Sequence, residues 1–155
     1  MIDQSEAFKW YRKAAEQDDA EGQTSLGVCY RDGSGVPMDK QKAFELFSKA
    51  ANQGSVSSQY ILGLCHKDGI GVDIDIIEAT RWFRRAAEQG CGKAQIILGL
   101  SYMTGMDGLQ IDKKEAVEWF RMAAEQGSVL AQHSLGMCYY NCDGVEINKT
   151  MAVKW

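Results

Sequence analysis

Few side chains in this sequence are placed for nucleophilic or acid–base catalysis. The two histidines are His66 and His133. His133 stands directly before Ser134, and because neighbouring residues on a helix point about 100° apart, its imidazole cannot serve that hydroxyl as a base. His66 replaces a tyrosine that recurs in similar stretches, so we expect it to be buried or half-buried. No Ser-His-Asp or Cys-His arrangement follows from the spacing, and we predict that the chain is not an enzyme.

The five cysteines favour packing over chemistry. Cys29, Cys65 and Cys138 lie in the similar phrases LGVCY, LGLCH and LGMCY, which predicts small, buried apolar side chains. Cys138 and Cys142 are four residues apart and could share a helix face as metal ligands, but no CxxC or HxxxH accompanies them, so we expect no metal. Cys91 has no similar counterpart. An odd count and the lack of a signal peptide favour a reducing compartment, which we take to be the cytoplasm.

The glycine pairs and basic residues do not indicate a cofactor, nucleic acid or membrane. The loops DGSGV and DGIGV contain Gly-x-Gly, but neither GxGxxG nor GxxxxGK is present, so we interpret them as turns. Arg81, Arg84 and Arg85 are interpreted as a solvated helix face. A net charge of −4 disfavours polyanions. No stretch approaches the roughly 18 consecutive apolar residues that a membrane span needs.

The sequence repeats itself with a nearly constant period. The phrase AAEQ or AANQ begins at Ala14, Ala50, Ala86 and Ala123, at intervals of 36, 36 and 37 residues. The pair Leu-Gly recurs with the same intervals, beginning at Leu26, Leu62, Leu98 and Leu135. The extra residue falls in TGMDGLQID, which indicates a loop because loops tolerate added length.

Each period predicts two helices. In the first kind, small or apolar residues recur at i, i+3, i+4, i+7 and i+8, as in Ala79, Trp82, Phe83, Ala86 and Ala87. The second kind runs through the Leu-Gly pair. Glycines inside it cost about 1 kcal/mol each relative to alanine, so we expect a neighbouring helix to approach them closely. These glycines are Gly27, Gly63, Gly99 and Gly136. Loop residues predicted to pack back onto the helix pairs are Val36, Val72, Leu109 and Val145.

Helix ends are also marked. The predicted N-caps are Asp3, Asp39, Asp75, Asp112 and Asn148. Glu78 and Glu115 follow two of these caps by three residues, which predicts capping boxes. The residues predicted to end the first kind of helix in a left-handed conformation are Gly54, Gly90, Gly127 and, in the first period, Asp18.

The joint pattern AxxxLGxxYxxGxGVxxDxxxAxxWxxxAAEQG resembles the Sel-one-like repeat (SLR), a relative of the tetratricopeptide repeat. The resemblance implies an all-α, α/α superhelical solenoid of about four 36-residue helix-pair repeats in a single domain, 1–155. The expected division is a helix at 3–17 and repeats at 18–53, 54–89, 90–126 and 127–155, the last helix being cut short at Trp155. Cys142 replaces a loop glycine, and we expect local strain there. The implied role is a non-catalytic scaffold or adaptor for a peptide or protein.

One enzymatic alternative comes from the same resemblance. Secreted cysteine-rich relatives have been described as β-lactamase-like, and a disulfide in each repeat joins the second alanine of the Ala-Ala pair to a position eight residues later. Here these positions hold Ala15 and Gln23, Ala51 and Gln59, Ala87 and Gln95, and Ala124 and Gln132. The missing cysteines disfavour this alternative.

The Leu-Gly helices also predict a binding surface. At 100° per residue, the columns that begin at Thr24, Val28 and Arg31 point away from the core. The predicted groove, on the concave side of the superhelix, is lined by Thr24, Val28, Tyr60, Leu64, Ile96, Leu100, Met103, His133, Met137 and Tyr140. It would suit an amphipathic helix or an extended peptide, with Tyr60 and Tyr140 as leading anchors. Alternatively, neighbouring helices cover the Val28 column.

Two further expectations concern the effect of substitutions in the groove and the two ends of the solenoid. If the groove is a surface, aspartate at Ile96 and Met103 should abolish binding and leave stability nearly unchanged. Solenoid ends normally need capping repeats, so the chain is expected to be a fragment or to associate end to end with another molecule.

Overall fold

The chain is built from helices alone over the part that the structure describes. The computed structural model describes residues 3–141 and 143–145, so the expectations for Cys142, Asn148 and Trp155 lie outside the described residues. The helices, in chain order, are α1 (Gln4–Ala15), α2 (Ala20–Asp32), α3 (Lys40–Asn52), α4 (Val56–Asp68), α5 (Ile76–Glu88), α6 (Gly92–Thr104), α7 (Lys113–Glu125) and α8 (Val129–Asn141). The predicted alternation of two kinds of helix is confirmed.

The chain divides into two compact units, Met1–Trp82 and Phe83–Trp155. The core of the first unit is formed by Ala43, Phe47, Ala51, Leu62, Cys65 and Trp82. The core of the second is formed by Ala116, Val117, Phe120, Ala123, Ala124, Ala131, Leu135, Cys138 and Tyr139. The loop residues Val72 and Val145 pack against these cores, as predicted. Cys29, Cys65 and Cys138 are buried and free, which confirms their predicted role as apolar filling.

The predicted aspartate caps at Asp3, Asp39, Asp75 and Asp112 are confirmed. The Asp112 carboxylate accepts hydrogen bonds from the backbone N–H groups of Lys114 and Glu115, at 3.1 and 3.0 Å. The second hydrogen bond of the predicted capping box, from the backbone N–H of Asp112 to the side chain of Glu115, is wrong. The Asp112 N–H donates instead to the carbonyl oxygen of Tyr102 at 2.9 Å, and the Glu115 carboxylate accepts from the indole of Trp119 at 3.1 Å.

The two structural roles predicted for glycine are both present. Gly54, Gly90 and Gly127 end their helices with φ of 93°, 91° and 86°, and Asp18 takes the same place with φ of 58°. Within α2, a Cβ on Gly27 would lie 2.6 Å from Cε1 of Phe47 in α3, which no real side chain tolerates. Close approach of a neighbouring helix is therefore the reason for this helical glycine.

Buried and half-buried glutamines join successive helices by hydrogen bonds. Gln95 donates from Nε2 to the carbonyl oxygen of Ala87 at 3.0 Å, and its Oε1 accepts from Nε2 of Gln126 at 2.9 Å. The equivalent bonds to alanine carbonyl oxygens join Gln59 to Ala51 at 3.3 Å and Gln132 to Ala124 at 3.2 Å. Among the described residues, hydrogen bonds therefore occupy three of the four position pairs that cysteine-rich relatives would link covalently.

Candidate protein-binding site

A pocket opens in the second unit, between helices of both kinds. Its volume is about 250 Å³. It is lined by Leu100 and Met103 of α6, Phe120 of α7, His133, Ser134, Met137 and Cys138 of α8, and Asp143. The structure thus brings together four of the predicted groove residues, two from each of two successive Leu-Gly helices.

The outward direction of these side chains follows from their offset to the core leucines. Leu98 and Leu135 are fully buried. Leu100 and Met137 lie two residues further along, about 200° around the helix axis, and are 46% and 45% exposed. Because α7 and α8 follow Leu100 in the chain and still leave it exposed, this column is a real surface in the second unit.

Helix α8 carries an apolar strip and no charge. Its sequence, VLAQHSLGMCYYN, has no acidic or basic residue apart from His133, and α6 has only Lys93, whereas α7 has six charged residues. Val129, His133, Met137 and Tyr140 are exposed and follow helical spacing on one face. Together with Leu100 and Met103 they are named the α6–α8 surface. An exposed apolar strip of this kind is a candidate interaction site.

The polar groups at the pocket do not form a catalytic set. Asp143 is neutralised by Lys113, whose Nζ lies 2.6 Å from its carboxylate oxygen. Burial, aided by the charge of Asp143, raises the pKa of the Cys138 thiol to about 11, so this sulfur is a protonated, apolar wall at neutral pH. His133 is exposed on α8. The lining can therefore exclude water and receive an apolar group.

The side chains and helices of residues 3–141 and 143–145 also bear on metal binding and on membrane crossing. No cluster of three or more His, Cys, Asp or Glu side chains in these ranges is placed to hold a metal ion. None of their helices combines the length and apolar character needed to cross a membrane.

The predicted groove residues of the first unit are less accessible. Thr24 is buried, and its hydroxyl shares a hydrogen bond of 2.6 Å with the hydroxyl of Ser58, so its predicted outward direction is wrong. Val28 is half-buried against the core of this unit, which favours the alternative that neighbouring helices cover it. Tyr60 and Leu64 are half-buried on α4.

Two predicted groove residues of the second unit belong partly to the core. Ile96 and Met103 are half-buried and pack against the core cluster around Phe120. Aspartate at these two positions would place charge against that core, so we now expect the double variant to be destabilised. Leu100 and Met137 are better positions for testing the surface, because they are more exposed than Ile96 and Met103.

One polar contact was not expected from the sequence. Arg84, predicted to be a solvated basic residue, is half-buried and donates to the hydroxyl of Tyr102. Arg121 makes the equivalent bond to the hydroxyl of Tyr139 at 3.4 Å, and this bond is the main cause of the raised pKa of its guanidinium. The shared separation of 18 residues is the sequence signal that could have revealed this pair.

Comparisons with known proteins agree with the helix-pair architecture. The family model of the Sel1 repeat matches residues 2–19, 20–55, 56–91, 92–128 and 129–155. A protective antigen of uropathogenic Escherichia coli with an SLR fold is 38% identical with a TM-score of 0.90, covering 96% of this chain and 32% of that one. A Sel1 repeat protein from Oxalobacter formigenes is 36% identical with a TM-score of 0.87, covering 97% and 62%.

A cysteine-rich protein B from Helicobacter pylori is 29% identical with a TM-score of 0.64, covering 83% of this chain and 92% of that one. No curated protein matches the chain. The chain spans about a third of the length of the Escherichia coli antigen and 62% of that of the Oxalobacter protein. These matches confirm the predicted solenoid class. The chain belongs to the Sel1 repeat family, whose repeats generally serve as non-catalytic scaffolds that bind proteins.

Proposed function

We propose that the chain is a protein-interaction module that binds its partner through the α6–α8 surface. The observation that carries the proposal is an uncharged helix, α8, that leaves Met137 and Tyr140 exposed beside an apolar pocket. Fully burying a side chain of Leu or Met size stabilises a complex by about 1.5–3 kcal/mol. Aromatic residues dominate many interfaces, so Tyr140 remains the leading anchor in this unit.

The chemistry of the pocket supports binding over catalysis. The sulfur of Cys138 is protonated at neutral pH, and Asp143 is paired with Lys113. A hydrolytic site would need a nucleophile within hydrogen-bond reach of a base that a third group orients. The lining offers instead the apolar ring of Phe120 and the flexible side chains of Met103 and Met137.

Differential capture tests the proposal. The wild-type chain, a Leu100→Asp/Met137→Asp variant and a Met122→Asp control are used as baits in the native host. Met122 is 41% exposed on α7 and does not line the pocket, so it matches the tested residues in size and exposure. We expect a protein that wild type and control retain and the double variant loses. Equal capture by all three baits would contradict the proposal.

A second candidate is end-to-end self-association through α1. Trp10 is 60% exposed, whereas the equivalent Trp119 is 5% exposed, and no residue of α1 is buried. Phe47 of α3 and Phe120 of α7, the residues equivalent to Tyr11, are covered by a Leu-Gly helix, so the exposed face of α1 has the shape that such a helix fits. Sedimentation at rising concentration tests this, because Trp10→Glu should abolish any dimer. A strictly monomeric wild-type chain would contradict it.

We also infer that the chain works in a reducing compartment such as the cytoplasm. The inference is supported by Cys29, Cys65, Cys91 and Cys138, which are all free. Rapid alkylation in intact host cells, followed by mass spectrometry, should find these thiols reduced, and disulfides on them would contradict the inference.

A further inference from the structure

We infer that the partner segment docks on the α6–α8 surface as an amphipathic helix, with one large apolar side chain in the pocket. This inference rests on the proposed function. It selects one of the two ligand forms, a helix or an extended peptide, that the sequence left open.

Hydrogen bonding separates the two forms. An extended peptide brings about one N–H and one C=O per residue that must find partners when buried. Leu100, Met103, Val129 and Met137 offer no strong donor or acceptor, and the backbone of α6 and α8 is engaged within their helices. Each peptide group left unpaired costs about 1–3 kcal/mol. A helix pairs its own backbone groups and presents only side chains to the surface.

The backbone of this part of the chain also gives no edge for strand pairing. Residues 83–141 and 143–145 contain no β-strand, so an extended ligand cannot add to a sheet here. The polar side chains on the α6–α8 surface and in the pocket lining are His133, Ser134, Tyr140 and Asp143, and the last is already paired with Lys113. These few groups cannot serve a peptide that crosses the whole surface.

The pocket volume sets the size of the anchor. Its 250 Å³ lie below the roughly 300–1,000 Å³ of small-molecule sites and above the roughly 150 Å³ of a cavity that holds benzene. That space suits one Leu, Met or Phe side chain of the partner. Met103 of α6 and Met137 of α8 both line the pocket and can adjust to the shape of that side chain because methionine has flexible torsions.

The charge pattern specifies the face of the partner helix. The α6–α8 surface carries no acidic or basic side chain except His133, and the nearby Asp143 is neutralised by Lys113. A charge buried against this surface would lack a counterion, so the contacting face must be apolar and the charges must lie on its other faces. Binding should therefore change little with salt.

A displayed library of random peptides of about 16 residues, or about four helical turns, tests the inference on the whole chain. We expect enriched peptides with apolar residues at i, i+3 or i+4, and i+7. Circular dichroism should show that they gain helicity on binding. Leu100→Asp/Met137→Asp should weaken the enriched peptides on the order of 30-fold or more, whereas Met122→Asp should change affinity less than about 3-fold. A proline in the middle of a peptide should abolish its binding.

The outcomes are distinguishable. Enriched peptides that depend on Leu100 and Met137 but tolerate a central proline and stay non-helical would overturn the helical form and keep the proposed function. Failure to enrich any peptide sensitive to the double variant would overturn both. If the free chain dimerises and Met137→Asp abolishes the dimer, the occupant is a second copy and the inference is wrong.

Discussion

The side-chain amide of Gln95 hydrogen-bonds to the carbonyl oxygen of Ala87 across 3.0 Å, at the two positions where the cysteine-rich relatives are expected to carry a disulfide. The same side chain accepts a bond from Gln126, the residue that caps the C-terminal end of α7. Gln95 is 2% exposed, and its amide adds to the bond that the Ala87 carbonyl oxygen accepts from the Gly90 N–H at 3.0 Å. A polar bridge thus takes the place of a covalent one and also reaches a third helix.

Gln95→Ala should lower the free energy of unfolding by about 1–3 kcal/mol, because it removes two hydrogen bonds that contribute about 0.5–1.5 kcal/mol each. Urea denaturation measures the change. Gln110→Ala, in an exposed loop, is the control and should shift stability by less than about 0.5 kcal/mol. Equal effects of the two substitutions would show that the bridge contributes nothing.

Introducing the disulfide that the cysteine-rich relatives are expected to carry should stabilise the fold. The double variant Ala87→Cys/Gln95→Cys should form a disulfide under mild oxidation. The free energy of unfolding of the oxidised form should then be about 2–3 kcal/mol higher than that of the reduced form, as expected for a short closed loop. Mass spectrometry and thermal melts of both forms provide the measurement. If the two thiols stay unpaired, the two positions are not equivalent to those of the relatives.

Truncating a core leucine should cost far more than changing a surface residue. Leu98 is fully buried in α6, and Leu98→Ala should lower stability by about 2–5 kcal/mol. In a repeat array the loss also frays the neighbouring helices, which hydrogen exchange would register locally. Glu125→Ala, at an exposed position of α7, serves as the control. If the two substitutions shift the unfolding midpoint by similar amounts, Leu98 is not a core residue.

Core and surface columns of the predicted groove should respond differently to aspartate. Ile96→Asp/Met103→Asp should destabilise the chain by more than about 2 kcal/mol, because both side chains pack on the core. Leu100→Asp/Met137→Asp should change stability by less than about 1 kcal/mol, since both side chains are nearly half exposed. Thermal unfolding of the two double variants measures the difference. Similar melting points would contradict the assignment of Ile96 and Met103 to the core and of Leu100 and Met137 to the surface.

The buried thiols should make stability fall at alkaline pH. Burial raises the pKa of Cys65 and Cys138 from 9.0 to about 11 in the folded chain. The folded state therefore holds protons that the unfolded state releases, and stability falls as pH rises between about 9 and 11. A Cys65→Ala/Cys138→Ala variant should lose this part of the pH dependence. An unchanged slope in that variant would mean that other groups cause the fall.

Repetition made the core predictable from the sequence. A leucine that returns with the period of the helix pair must occupy the same environment each time, and Leu98 and Leu135 do so. The prediction that Thr24 points outward was wrong because a helical wheel considers the packing of one helix against one neighbour only. Its small partner Ser58 lets α2 and α4 approach closely, and that contact depends on two residues from different repeats.

The candidate site was predictable in part for the same reason. Leu100 and Met137 follow from their offset to the core leucines. Phe120 and Asp143 could not be placed at the site, because they come from other elements and meet the pocket only after the helices pack. Ile96 looked equivalent to an exposed column, but the packing of the second unit draws it against the core.

The loops that follow α2 and α6 are each closed at both ends by a backbone hydrogen bond. The N–H of Asp39 donates to the carbonyl oxygen of Tyr30 at 2.8 Å, and that of Asp112 donates to the carbonyl oxygen of Tyr102 at 2.9 Å. The second loop is one residue longer, yet the bond at its ends is the same, and Asp107 absorbs the difference with φ of 58°. Such a clasp makes the segment between its ends a natural insertion point, where a grafted peptide could be displayed without shifting the helices on either side.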